Sequence, residues 1–270
     1  VPGTEILQLD LFGDQAQTEP SSNPVSLAQL APEGLSDAAL IGALPNAVQA
    51  GARALALEAG RRRLDGAVAA LTALCQSFVG FGADRMVPEQ AAALDALVAI
   101  GGSDACRSVC EIIVEEIVQG PTLVVALSAA SQLGVKFPAA VGLRLLGHFD
   151  PSVRAAACAC VRAGPETVAA LVGLLVDRDR EVLIAAACAL GRMGRGEARG
   201  PLKSHLSETP SPRVIEALAG VADEEAVVLL ARLGRGRPDL APHVLAALDE
   251  IDDFGAIRAA SALRRLAQRS

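Results

Sequence analysis

The sequence predicts an all-α fold built as a stack of short helices, and three observations carry that prediction. Of the 270 residues 51% are hydrophobic but only 2% aromatic, with six Phe and neither Trp nor Tyr. Ala, Leu and Val supply the apolar mass, which suits many thin helices packed closely. From about Ser36 the chain runs as Ala/Leu-rich segments of helix length, punctuated by Gly, Pro or Asp. One segment also recurs. Asp150-Pro151-Ser152-Val153-Arg154-Ala155-Ala156-Ala157 is echoed 29 residues later by Asp179-Arg180-Glu181-Val182-Leu183-Ile184-Ala185-Ala186.

Residues 1–34 are set apart by Pro2, Gly3, Pro20, Pro24, Pro32 and Gly34, which forbid a long helix. They read as an extended tail, and residues 35–270 as the helical stack. Helices are expected at 36–44, 46–59, 62–80, 87–100, 103–118, 121–134, 137–148, 151–163, 165–176, 180–193, 197–207, 211–222, 223–233, 238–250 and 254–268. Pro45, Pro88, Pro121, Pro138, Pro151, Pro165, Pro201 and Pro238 fall at or near helix starts, where a missing N–H costs nothing. Gly101, Gly134, Gly164, Gly191 and Gly194 fall near helix ends, where a left-handed residue closes the last turn.

Each copy of the recurring segment leads into a second, Leu-rich helix, and a weaker copy begins at Ser211-Pro212-Arg213-Val214. Asp at the helix start accepts free backbone N–H groups. Val and the Ala pair let this helix lie close to its neighbours. No pair buries its apolar face alone, so pairs must stack. The pattern resembles the HEAT repeat in its short bacterial form, named after phycobilisome lyases. The match is strong over 150–207 and fair over 208–233; elsewhere only the helix rhythm agrees. The resemblance implies a right-handed, armadillo-like α-solenoid of six or seven helix pairs. It also implies a protein partner on a concave face, expected to be lined by the second helices. The last helix, with Arg258, Arg264, Arg265 and Arg269, is expected to be a polar end cap.

The net charge of −7 argues against general binding to nucleic acid or an anionic membrane. Residues 1–135 carry 6 basic and 15 acidic side chains, whereas residues 136–270 carry 18 and 16. Arg192, Arg195, Arg199, Arg232, Arg235 and Arg237 make one locally basic zone, and Arg61-Arg62-Arg63 a smaller one; both read first as solvated turns. No apolar run is long enough to span a bilayer, and no leader segment opens the chain. Cys75, Cys106, Cys110, Cys158, Cys160 and Cys188 all sit in helical stretches, the pattern of reduced core thiols in a cytoplasmic protein.

No catalytic constellation or cofactor motif emerges. His148, His205 and His243 lack partners at metal-ligand spacing and lack the His-Glu pairs of di-iron relatives. There is no Gly-x-Ser-x-Gly elbow. Gly191-Arg192-Met193-Gly194-Arg195-Gly196 follows a helix and lacks the Gly-Lys-Ser/Thr ending of a phosphate loop. Glu115-Glu116, Glu224-Glu225 and Asp252-Asp253 are neighbours on solvated faces. The expectation is therefore a scaffold that is not an enzyme, with no metal and no cofactor. The alternative is an enzyme or subunit like the bilin lyases or the HEAT-like DNA glycosylases. Against the latter stands the lack of Trp and Tyr to stack on a lesion.

The tail holds one sharp motif. Gln8-Leu9-Asp10-Leu11-Phe12 is similar at all five positions to the peptide by which bacterial replication and repair proteins bind the DNA sliding clamp. The resemblance implies that Leu11 and Phe12 fill one clamp pocket, that Gln8 hydrogen-bonds in a second, and that Leu9 packs between. The competing reading is a strap: Ile6, Leu7, Leu9, Leu11 and Phe12 folded back over the first helices.

Overall fold

The computed structural model describes residues 32–47 and 49–267. Among them are fifteen α-helices: α1 Asp37–Ala43, α2 Gln49–Arg62, α3 Val68–Gln76, α4 Pro88–Ile100, α5 Gly102–Val114, α6 Gly120–Gln132, α7 Ala139–Leu146, α8 Pro151–Ala157, α9 Pro165–Gly173, α10 Arg180–Arg192, α11 Arg199–Glu208, α12 Pro212–Ala219, α13 Glu224–Gly236, α14 Ala241–Glu250 and α15 Phe254–Ala267. The only extended pairing among the described residues is a single bridge, Phe137 to Val161.

Local chemistry sets the helix starts. Asp150 accepts the Ser152 N–H at 2.8 Å, and Asp179 accepts those of Glu181 and Val182 at 2.9 and 3.2 Å. Asp223 does the same for Ala226 at 2.9 Å. Pro88, Pro151, Pro165 and Pro212 occupy first helical positions. Gly101, Gly134 and Gly194 close helices with φ near +70°. Gly164 instead precedes α9 in extended backbone, and Gly191 lies inside α10.

Helix α8 is half its expected length, and the reason is visible. The chain turns at Cys158–Val161, and the carbonyls released from the helix find new donors. Phe137 N–H bonds Cys160 O at 2.8 Å, and the Lys136 ammonium bonds Ala159 O. Phe137, the largest fully buried side chain, is pinned by this exchange.

The helices stack in an α-solenoid. One row is continuous: α2, α4, α6, α8, α10, α12 and α14 each pack on the next. The other row closes only in places, α3 on α5, α7 on α9 and α13 on α15. The continuous row contains the repeat-signature helices α8, α10 and α12, whose Ala and Gly residues suit close packing. Val182 and Ile184 through Gly191 are all buried in α10.

The signature arginine joins successive turns. Arg154 donates twice to Asp177, each at 3.0 Å, and also to the carbonyls of His148 and Phe149 at 2.9 and 3.0 Å. Asp177 sits before α10 and accepts the Asp179 N–H as well. Its carboxyl is held below its ordinary pKa, first by the bond from Arg154 and then by that backbone N–H.

Two further expectations are corrected. Arg61 and Arg62 are not merely solvated: both donate to Glu58, and Arg62 also holds the carbonyls of Pro32, Glu33 and Leu35. Those bonds push the Glu58 carboxyl down to about 2 and fasten the short turn Pro32–Gly34 to α2. The last helix is not a purely polar cap. Phe254 and Ile257 are exposed, and the Arg258 guanidinium lies 5.8 Å from the Phe254 ring centre.

Candidate functional site

The continuous row carries one depression that four of its helices share. Its volume is 590 Å³, and it is lined by Val124, Leu127, Ser128 and Ser131 from α6, Ala155 and Ala156 from α8, Ala159 just beyond, Arg192 from α10, and Arg213 and Glu216 from α12, with Lys136 at one edge. The repeat register explains the floor. Ala155 stands two residues after Val153, and Glu216 two residues after Val214, so both occupy the same face of equivalent helices. Ala155 and Glu216 at this position line the depression, whereas Ile184, the equivalent residue of α10, is buried.

The electrostatics of the site are one-sided. Lys136, Arg192 and Arg213 are exposed, and none of them is in an ion pair among the described residues. Glu216 is the only carboxylate in the lining. Several arginines elsewhere are matched: Arg195 with Glu197, Arg199 with Asp223, Arg237 with Asp239, and Arg264 with Asp249. Half of the basic zone expected from Arg192 to Arg237 is thus neutralised, and only Arg192 of that group reaches the depression. Sequence reading missed Lys136, which lies well before Arg192, and Arg213, which stands alone between two arginine clusters. The repeat register was the signal that would have found Arg213, at the start of an equivalent helix.

The cysteines beside the depression are core residues. Burial pushes the thiols of Cys75 and Cys158 up to about 12 and that of Cys160 up to about 11. Arg213 and Arg192 pull Cys158 slightly back, and Lys136 and Arg192 do so for Cys160. All six cysteines are free, with Cys106 and Cys110 half-buried and the other four buried. Raised, buried thiols are poor nucleophiles. Brief alkylation of the native protein with iodoacetamide at neutral pH is expected to label Cys106 and Cys110 first, and all six only in denaturant. Mass mapping of the peptides checks this; early labelling of Cys158 or Cys160 would contradict it.

A second, more apolar cleft of 420 Å³ opens between α5, α6 and α7, beneath exposed Phe149. The Phe149 ring stacks on His148, with centroids 4.4 Å apart. It marks a gap in the open row. No group of three or more His, Cys, Asp or Glu suited to a metal occurs among the described residues. Nor is any described helix long and apolar enough to cross a membrane. The motif residues Gln8, Leu9, Asp10, Leu11 and Phe12 lie outside the described residues.

Comparison with curated proteins finds no match. The HEAT-repeat family profile matches residues 139–222, from the start of α7 to the turn after α12. That stretch holds the signature helices, their Asp caps and most of the depression. On the recurring segment, the stacked helices and this match, residues 139–222 are HEAT repeats.

Proposed function

We propose that this protein is a non-catalytic scaffold that holds a protein partner against its continuous row, and that Gln8-Leu9-Asp10-Leu11-Phe12 tethers it to the bacterial DNA sliding clamp. The observation that carries the scaffold reading is the shared depression on α6, α8, α10 and α12, whose rim carries the exposed side chains of Lys136, Arg192, Arg213 and Glu216. A stack of pairs offers such a surface without needing a closed pocket. Free thiols in the core suit a reducing cytoplasm. The tether rests on the five-residue motif alone. Two apolar side chains entering one pocket offset the ordering of a short peptide.

Each half has its own test. A photoreactive residue replacing Ala155 is expected to cross-link a partner from the continuous row; cross-links only from α9 or α11 would overturn the scaffold reading. Immobilised clamp is expected to retain the full chain and to lose at least about tenfold in affinity for the Leu11→Ala/Phe12→Ala variant, the usual scale for removing buried anchors. Equal retention of the two would remove the tether and leave the scaffold standing.

A further inference from the structure

We infer that the depression between α6 and α12 recognises an acidic, extended segment of a protein partner, with Lys136, Arg192 and Arg213 receiving its carboxylates. The inference rests on the scaffold reading and adds the partner's chemistry. Lys136, Arg192 and Arg213 line one depression without an ion-pair partner among the described residues, and incoming carboxylates would supply one. With Glu216 the one carboxylate in its lining, the depression is locally positive on a protein that carries 31 acidic against 24 basic residues. That local excess favours an acidic segment.

The floor fits a peptide chain. Ala155, Ala156 and Ala159 are too small to keep an extended backbone at a distance, and Ser128 and Ser131 add hydroxyls at the edge. The Lys136 ammonium is already oriented by its bond to Ala159 O. Glu216 repels negative charge on one side and so fixes where carboxylates can sit. A nucleic-acid backbone fits less well. It presents a dense row of charge to only three cations and one carboxylate, on a protein of net charge −7. The lining also has no aromatic ring for a base to stack on.

The test is fluorescence anisotropy on the full chain at low and physiological salt. The probes are a labelled alternating Glu/Ala peptide, its Lys/Ala counterpart, an oligothymidylate, and a synthetic copy of residues 1–31. The Glu/Ala peptide is expected to bind best and to weaken with salt. It should weaken at least about tenfold with Arg192→Glu/Arg213→Glu, and bind more tightly with Glu216→Gln. All three residues are exposed, so unchanged thermal unfolding of the variants separates lost binding from lost folding. Equal binding to the double variant overturns the proposal. So does binding of the Lys/Ala peptide or the oligothymidylate as tight as that of the acidic peptide. Preferred binding of the 1–31 copy, lost in the double variant, would make this chain's own N-terminal segment the occupant and overturn the partner assignment. A partner cross-link at Ala155 that survives the double reversal would keep the scaffold reading and remove this one. Titratable acidic-peptide binding with no cross-link at all would do the reverse.

Discussion

Gly191→Ala is expected to lower the unfolding free energy by about 2–3 kcal/mol, the cost of forcing an extra carbon into a closed contact. Gly200→Ala, nine residues on, is expected to raise it by up to about 1 kcal/mol. The same substitution takes opposite signs because of what each α-carbon faces. A Cβ on Gly191 would lie 2.4 Å from Ala217 O and 3.0 Å from Leu202 Cδ1. A Cβ on Gly220 would in turn meet Gly191 O at 2.4 Å. Backbone touches backbone here, where α10 meets the end of α12, and no side-chain rotation can relieve the clash. Gly200 lies near the start of α11 with nothing within 4 Å of its added carbon. There alanine only removes freedom from the unfolded chain. Urea unfolding followed by circular dichroism checks both, and coincident midpoints for Gly191→Ala and the parent would refute the packing argument.

Arg154→Met is expected to cost about 3 kcal/mol near neutral pH. Methionine keeps much of the apolar stem, so the loss isolates the guanidinium. It would leave Asp177, whose side chain is only 10% exposed, with the Asp179 N–H as its remaining donor. It would also strip the carbonyls of His148 and Phe149 of their shared donor. The pH dependence has a definite sign. The folded pKa of Asp177 is depressed, so below the ordinary carboxylate value of about 3.9 the unfolded chain binds more protons. The stabilisation is complete above that value and fades as pH falls through the folded pKa. In Arg154→Met that acid-side segment of the stability profile should flatten. A profile parallel to the parent's would show that the arginine contributes little to this carboxylate.

The helical rhythm and the repeat were legible in the chain because local chemistry enforces them. Asp150, Asp179 and Asp223 cap helices wherever they are placed, and Pro at a first turn needs no partner. What escaped depends on contacts between distant residues. Gly191 has the sequence appearance of a helix end, yet it serves a crossing with a helix more than twenty residues away. The end of α8 at Ala157 is set by Phe137, which precedes it by twenty residues. The depression is assembled from four helices, and its cations are far apart in sequence: Lys136 stands before α7, while Arg213 opens α12.

The unequal closure of the two rows has a mechanical consequence. A strip clamped along one edge and loose along the other has a single soft coordinate: it can fan open on the loose side while the clamped edge keeps its length. Bending this molecule spreads α5 from α7 and α9 from α11, where little holds them together. Stretching it would have to part crossings such as Gly191 on Gly220, where no slack exists. The stack is therefore compliant in pitch and stiff in span, and whatever lies along its clamped edge meets charges whose spacing stays constant while the loose edge breathes.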